Sequence, residues 1–531
     1  MITFQSFGKK TPFKSKHSSL IFNIGLFFVA LGIRIPWLWE VPRYIDELKE
    51  VNLAYQIYLG KVYPLHNMAH DIGALHNYIL AGIFKILGPG LYWPRLYVAL
   101  TSALSVLLIY QLGKRLYNQW TGIIAAGLLL TNGMHILVTH MAWANCTTPF
   151  FFLLALLTTV MAKEHKSGGW LMVSGLVWAL ALQTHSSVIV YLPVIMVYIF
   201  TRRFRQETQI DPKYYAYTGL AFILGYFNMF YYNIISRGGS VAWIFTKGYT
   251  LETNPGFISF IRNLRLMFVE LMRTICAGYD FEMSLWGYLY QLFFITAIII
   301  LGVGTVQTLK AKQGLPLWLV AGGFMIIPWI NSRYGYFIVT RYIMPVVICS
   351  VLLLACGINR LFVLISSRTA HKQMAVIVFI GLALIFGGFH LGFFYSYCKS
   401  LADTDMSNRL ALKLVKITGK WAHHSGTEVL IDPRIRLRND PLPVLLALDQ
   451  QNYTVLRLRP PRKDDPNQTD QLLKAVQKRR KRRMVIITDR NAFQHLKRVA
   501  SVKKVQSVSH RLVLDRQETS PEVVKIYVIQ L

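Results

Sequence analysis

Carboxylates are what this chain of 531 residues has little of: 25 Asp and Glu stand against 57 Lys and Arg, for a formal charge of +32. Twelve of the acids precede residue 396, namely Glu40, Asp46, Glu47, Glu50, Asp71, Glu164, Glu207, Asp211, Glu252, Glu270, Asp280 and Glu282. Cysteine is sparse as well. Cys146, Cys276, Cys349, Cys356 and Cys398 lie scattered within or beside apolar runs, without metal-ligand spacing and without the framework of a small disulfide-stapled domain. Buried apolar cysteine is the default reading, and neither a thiolate metal centre nor a disulfide scaffold organises the chain.

What fills the chain instead is apolar sequence. Hydrophobic residues make up 54% and mean hydropathy is +0.39, with repeated apolar runs of about 20 residues, the length that crosses a hydrocarbon core. The class is a polytopic α-helical membrane protein. Its basic excess reads as loops that face anionic lipid under the positive-inside rule, and no nucleic-acid partner is expected.

The N-terminus, "MITFQSFGKKTPFKSKHSS", is basic and runs into "LIFNIGLFFVALGIRIPWLW". A signal peptide is the competing reading. The length of the apolar run, its interruption by Arg34 and the lack of a small-residue cleavage site favour an uncleaved first span. Spans are expected near residues 20–38, 92–112, 120–137, 143–162, 169–184, 186–201, 215–235, 285–308, 315–331, 336–357 and 374–395, about eleven in all. The short basic connections "GKRLYNQW", "KEHKSG", "RRFRQETQIDPK", "KAKQG" and "NRLFVLISSRTAHK" are assigned to the cytoplasm. The expected layout is a cytoplasmic N-terminus over 1–19, a membrane domain over 20–395 with outer loops 39–91 and 236–284, and a soluble α/β domain over 396–531 on the outer side. The whole is then a multi-pass protein of the plasma (inner) membrane.

Within the first outer loop, "IGALHNYILAGIFKILG" is too short for a comfortable crossing and reads as an interfacial or half-buried helix. In the second, "GFISFIRNLRLMFVELMRTI" sets apolar and basic positions at helical spacing, as a lid over a lipid or acceptor groove or as a packing helix that closes the bundle. After residue 396, "EVLIDP", "YTVLRLR", "RMVIITD" and "VVKIYVIQL" read as strands, "TDQLLKAVQKRRKRR" and "DRNAFQHLKRVA" as helices. The basic run at 478–483 is read as a solvated helix end that meets lipid headgroups or an anionic glycan.

Three of the twelve acids, Glu164, Glu207 and Asp211, fall in the cytoplasmic loops, and five of the other nine crowd into the first outer loop. Outward-facing carboxylate chemistry draws on those nine. There the order of residues is informative: Arg34 near the outer end of span one, then "YIDE", the helical "VNLAYQIYLGKVYPL", "HNMAHDIGALHNYILAGIFKILGPGLYWPRL", and later "RYGYFIVTRYIMPVV". This ensemble resembles the membrane glycosyltransferases of the protein O-mannosyltransferase and aminoarabinose transferase superfamily, in its bacterial branch, with the type C glycosyltransferase fold. The resemblance covers residues 20–395.

It implies transfer of a hexosyl or pentosyl unit from a polyprenyl-phosphate sugar donor to a glycan, lipid or protein acceptor on the outer face of the membrane, with inversion at the anomeric carbon. Within it Asp46 is the expected catalytic carboxylate, and Glu47 orients Asp46 or pairs with a base. The chemistry agrees, because an acceptor hydroxyl is a poor nucleophile near neutral pH until a positioned carboxylate takes its proton. The leaving lipid phosphate needs cationic stabilisation more than a general acid. Arg34, Arg95, His185 and Arg341 are the candidates for that, with Tyr342 as a hydrogen-bonding aromatic. Each has a plainer reading: Asp46 as a helix-capping acid, Arg34 as a snorkelling side chain, Arg95 and Arg341 as interfacial anchors. His66, His140 and Asn145 are the candidate sugar or acceptor contacts.

The chain departs from the superfamily pattern after the third span. A second acid is expected there, and "HMAWANCTTPFFF" offers His140 and Asn145. An amide cannot act as a carboxylate base, so a two-carboxylate arrangement, and a divalent metal held within it, has no support. No cofactor and no metal site is expected; "HNMAH" has an i, i+4 spacing but no matching acid motif. The competing classes are a transporter or lipid flippase, which intramembrane charge also fits but for which no internal repeat is visible, and a non-catalytic glycan-binding membrane protein.

Overall fold

Helices in this chain form along the apolar runs and end where a residue offers the backbone another partner. The computed structural model describes residues 16–42, 45–246, 256–278, 285–332, 340–368, 372–402, 407–422, 427–432, 441–449, 453–457, 468–478, 484–499, 502–514 and 518–531. Most of the basic N-terminus, the "RYGYFIV" part of the later motif, Glu252, Asp280, Glu282 and the basic run after Lys478 lie outside them. The chain divides into two compact units. One takes residues up to Pro36, Pro64–His76 and Val98–Tyr395; the other takes Trp37–Tyr63, Asn77–Tyr97 and Ser396–Leu531.

Among the described residues six helices are long and apolar enough to cross a membrane: His17–Arg34, Trp93–Leu116, Ala144–Glu164, Tyr290–Lys310, Thr340–Ser366 and Val376–Ala402. A seventh arises if Ser186–Phe200 and Arg202–Thr208, bent by 59°, count as one span. Leu75–Leu87, Gln119–Thr131, Gly168–Thr184 and Leu315–Ile330 are apolar but shorter.

Two expected spans are interrupted, each for a visible reason. The run at 120–137 breaks at Asn132, whose side-chain oxygen accepts from the His135 amide at 2.8 Å and whose amide donates to the Thr274 carbonyl at 2.9 Å. An Asn in that role caps a new helix, Gly133–Val138, rather than continuing the old one. The run at 215–235 splits at Tyr226 into Lys213–Gly225 and Phe227–Ile235, and the Gly225 carbonyl takes its hydrogen bond from Gln183 Nε2 at 2.6 Å.

Glycines let the helices of this unit meet backbone to backbone, as membrane helices do when no hydrophobic drive separates them from lipid. A Cβ on Gly113 would stand 2.8 Å from the Cα of Gly122. One on Gly357 would strike the Ile300 carbonyl, and one on Gly304 the Leu353 carbonyl, so Leu285–Lys310 and Thr340–Arg368 are in direct contact at this pair. The sequence's amphipathic segment forms the helix Phe257–Cys276, which buries Asn263, Met267, Glu270, Leu271 and Thr274 along one face.

The other unit is built on a five-stranded sheet of order β2-β1-β3-β5-β4, with β1 Thr427–Ile431, β2 Tyr453–Arg457, β3 Met484–Asp489, β4 Lys504–Leu514 and β5 Glu518–Gln530. β1, β2 and β3 run parallel, while β5 is antiparallel to β3 and β4. Successive residues of a strand point to opposite faces. Val429, Ile431, Val485 and Ile487 join a core with Leu414, Trp421 and Leu442; Leu430, Met484 and Ile486 join a second core with Leu472, Val476 and Leu496. Leu48, from the helix Ile45–Tyr58, is part of the first core. That contact decides how the acidic turn of the first loop is oriented.

Candidate active site

The helix Ile45–Tyr58 opens on Asp46 and Glu47, acids placed in the first turn where the helix dipole favours negative charge. Consecutive helical residues are about 100° apart, so the two carboxylates cannot serve one partner. With Leu48 held in the core, Glu47 turns inward and is 2% exposed. Its Oε1 and Oε2 accept from Arg95 Nε and Nη2, both at 2.6 Å. Arg95, itself 4% exposed, also donates to the carbonyls of Leu38 at 2.8 Å and Pro42 at 2.7 Å. Arg95 is an anchor for this turn, in place of the phosphate ligand expected from the sequence. Asp46 faces the other way: its side chain is 45% exposed, 3.5 Å from Lys49 Nζ.

In the membrane unit three other expected residues come together around a residue the sequence reading did not single out. The Arg341 guanidinium stacks on the Trp143 ring at 3.9 Å and on the Tyr342 ring at 4.6 Å. Its Nη2 donates to the Tyr342 hydroxyl at 2.8 Å. Its Nε and Nη1 are buried with no hydrogen-bond partner among the described residues. The His185 ring stacks on Tyr342, with centroids 4.8 Å apart and planes 25° apart. The position of Arg341 is set by the start of its helix, where the Thr340 hydroxyl donates to the buried Glu270 carboxylate.

His185 differs from the expectation of a cation. Burial, and then the neighbouring Arg341 charge, push its imidazole down to about 3, so it is neutral at physiological pH. Its Nδ1 accepts from the Ser187 amide at 3.0 Å, which leaves the proton on Nε2. Next to it, the Ser186 hydroxyl donates to Asp71 Oδ2 at 2.6 Å. Burial raises the Asp71 carboxyl, against the lowering effect of that hydrogen bond. Asp71 is thus a carboxylate held by the residue next to His185, although no acid stands at the position expected after the third span. Its signal was its membership of the acid-rich loop; that of Trp143 was an aromatic beside the helix-breaking "AWANC".

Arg34 is fully buried. Its Nε donates to Ser102 Oγ at 2.5 Å, Nη1 to the Ala30 carbonyl at 2.9 Å, and Nη2 lies 3.2 Å from His135 Nδ1. His140 packs edge-on to Phe394 at 5.1 Å and Asn145 accepts from Cys146 Sγ at 3.5 Å, both inside the unit. His66 lies 4.4 Å from both His70 and Tyr232, ring to ring, and His70 stacks on Trp243 at 4.5 Å. Burial, followed by the charge of His70, lowers the His66 imidazole, against the raising effect of a hydrogen bond with the Asn67 carbonyl. Among the described residues no three His, Cys, Asp or Glu side chains are grouped to hold a metal ion.

Residues 71–232 match the family model of the dolichyl-phosphate-mannose-protein mannosyltransferases. No curated protein sequence matches. Among solved structures, the crystal structure of ArnT from Cupriavidus metallidurans bound to undecaprenyl phosphate is similar at a TM-score of 0.58 and 12% identity, over 97% of this chain and 98% of that one. The apo oligosaccharyltransferase of Archaeoglobus fulgidus is similar at a TM-score of 0.50 and 11% identity, over 90% of this chain and 70% of that one. At such identities the likeness speaks for the fold, and the family match speaks for the segment from Asp71 to Tyr232. The chain is thus a membrane protein whose fold is similar to that of ArnT and whose residues 71–232 resemble the dolichyl-phosphate-mannose-protein mannosyltransferases, in keeping with the resemblance read from the sequence.

Proposed function

We propose that the chain is an inverting glycosyltransferase that moves a sugar from a polyprenyl-phosphate carrier to an acceptor on the outer face of the plasma membrane. The observation that carries the reading is Arg341. A buried cationic nitrogen without an acceptor costs about 1–3 kcal/mol or more, and Arg341 has two that no described residue accepts from. An oxyanion relieves that cost, and a guanidinium held against two aromatic rings is a pre-organised donor to phosphate. The undecaprenyl phosphate bound to ArnT, a protein of similar fold, is an anion of this kind.

In this reading Arg341, Tyr342 and the Nε2–H of His185 hold the donor phosphate. The acceptor oxygen attacks the anomeric carbon, the bond from that carbon to the phosphate oxygen breaks, and the lipid phosphate leaves with the electron pair. Asp46 takes the acceptor proton as base, the role the superfamily resemblance implies; its exposure, and the absence of a partner closer than Lys49 among the described residues, support it. Glu47 and Arg95 hold the turn that carries it. His66, with His70, Tyr232 and Trp243, is an aromatic surface suited to a sugar or acceptor ring. Gln119–Thr131, Gly168–Thr184, Leu315–Ile330 and the run at 215–235 complete about eleven crossings, and the C-terminal domain, on the outer side, positions the acceptor.

The test is transfer from a panel of radiolabelled polyprenyl-phosphate sugars in detergent, where no transport compartment exists, comparing the native chain with Asp46→Asn and Arg341→Ala. Transfer by the native chain, abolished by Asp46→Asn with donor binding retained, supports the reading. Transfer undiminished in Asp46→Asn removes Asp46 as base, and no transfer from any donor by the native chain moves the assignment to a transporter or binding protein.

A further inference from the structure

A second cation lies in the core of the membrane unit with no acid beside it among the described residues. Arg34, Ser102, His135 and Thr139 are each at most 1% exposed, and the Thr139 hydroxyl donates within the same group, to Ser102 Oγ at 2.8 Å or the His135 carbonyl at 2.7 Å. Every partner of Arg34 is neutral: a serine hydroxyl, the Ala30 carbonyl and an imidazole nitrogen. No carboxylate forms an ion pair with it among the described residues. A charge buried in that way is costly and is retained where an ion or substrate meets it.

The imidazole adds an independent observation. A guanidinium has donors only, so His135 Nδ1, 3.2 Å from Arg34 Nη2, must accept. The imidazole proton is then on Nε2. That nitrogen is buried with no hydrogen-bond partner among the described residues. Arg34 thus sets the tautomer of His135 and leaves it with a donor that no described residue accepts, beside a positive charge that no described carboxylate pairs with. An oxyanion would accept from the Nε2–H and, through its charge, offset the nearby guanidinium. The residues that Arg341 contacts, Trp143 and Tyr342, are not among those Arg34 contacts, so the two cations belong to separate groups.

We propose that Arg34 and His135 form a second oxyanion-binding position in the membrane unit, separate from that of Arg341, which takes a phosphate group. The phosphate is that of a lipid carrier or free phosphate; both present the same acceptor oxygens. This position goes beyond the function proposed above and does not depend on Asp46 or on sugar transfer.

The experiment follows the His135 ring nitrogens by two-bond proton–nitrogen correlation in detergent-solubilised protein carrying nitrogen-15 histidine, with His135→Gln to assign the signal. Two probes are titrated separately, inorganic phosphate and a short-chain polyprenyl phosphate. The expected result is an Nε2–H tautomer before addition, and a saturable shift of the Nε2 signal with one probe or both. A shift with inorganic phosphate marks a position open to free phosphate; a shift with the lipid probe alone marks the carrier's headgroup. The shift persists with at least one probe in Arg341→Ala, and in that background equilibrium binding of the active probe weakens about 10-fold or more when His135→Ala is added. Three results would overturn the proposal: a proton on Nδ1 in the native protein, a signal that neither probe moves, or a shift that neither probe produces once Arg341 is replaced. Failure of sugar transfer leaves this readout untouched, so the two proposals fail separately.

Discussion

Glu47 and Arg95, 48 residues apart in the chain, meet as a two-pronged buried ion pair in which each carboxylate oxygen receives one guanidinium nitrogen at 2.6 Å. Two further donations from Arg95, to Leu38 and Pro42, tie the same guanidinium to the backbone before the acidic turn. Removing one partner leaves the other charge uncompensated, at a cost of about 3–5 kcal/mol. Glu47→Ala should therefore lower the thermal midpoint in detergent sharply. Glu47→Met with Arg95→Leu should lower it less than either single change, and Arg95→Lys should not restore the native value because an ammonium lacks the fork. Equal losses in the single and double variants would contradict the pair.

Asp46 sits outside that anchor. Asp46→Asn should leave the midpoint within about 0.5 kcal/mol of native stability, as substitutions at exposed positions do. Sugar transfer should fall by about 100-fold or more, the scale of a lost general base. The two measurements are made on the same preparation, so a drop in both would mark Asp46 as structural.

Arg341 is expected to govern donor affinity. Arg341→Ala should weaken binding of a polyprenyl phosphate by about 10-fold to 100-fold, the worth of charge-assisted hydrogen bonds. Arg341→Lys should recover only part of it, since an ammonium cannot stack on Trp143 as a planar guanidinium does. Trp143→Leu should then reduce affinity in the native background and have little effect in the lysine variant.

The pH dependence of stability should carry the mark of His66. Burial lowers its imidazole below the ordinary value of 6.5, and His70 lowers it further. The folded state therefore binds the proton less readily than the unfolded chain. Stability from this group is complete above about 6.5 and is lost as the pH falls below that value toward the folded one. His185 contributes with the same sign. The midpoint should drop between pH 7.5 and 5, and His66→Gln should flatten part of that slope; an unchanged slope would rule His66 out as a source.

Much of the fold was legible because apolar runs and helical spacing are local signals. The amphipathic helix Phe257–Cys276 and the strand at 484–489 could be read from their own residues. β4 could not, because "KVQSVSHRLVL" mixes polar and apolar positions and pairs only with β5. The break at Asn132 was hidden for a related reason: its side chain reaches the Thr274 carbonyl, far along the chain. At the site, the adjacent acids announced themselves, yet which one turned inward depended on the packing of Leu48. The role of Arg95 stayed open between phosphate ligand and anchor because a basic residue near a membrane edge looks the same whether it awaits a phosphate or already holds Glu47.

The glycine contact between Leu285–Lys310 and Thr340–Arg368 bears on how the protein behaves outside its native bilayer. A seam of backbone against backbone at Gly304 and Gly357 owes its strength to close atomic packing, and hydrocarbon chains compete for it equally poorly whether they belong to lipids or to detergent. The helix that carries Arg341 should keep its seat when the bilayer is exchanged for a micelle. Changes of lipid thickness or headgroup should alter how the protein is embedded well before they alter the distance between these two helices.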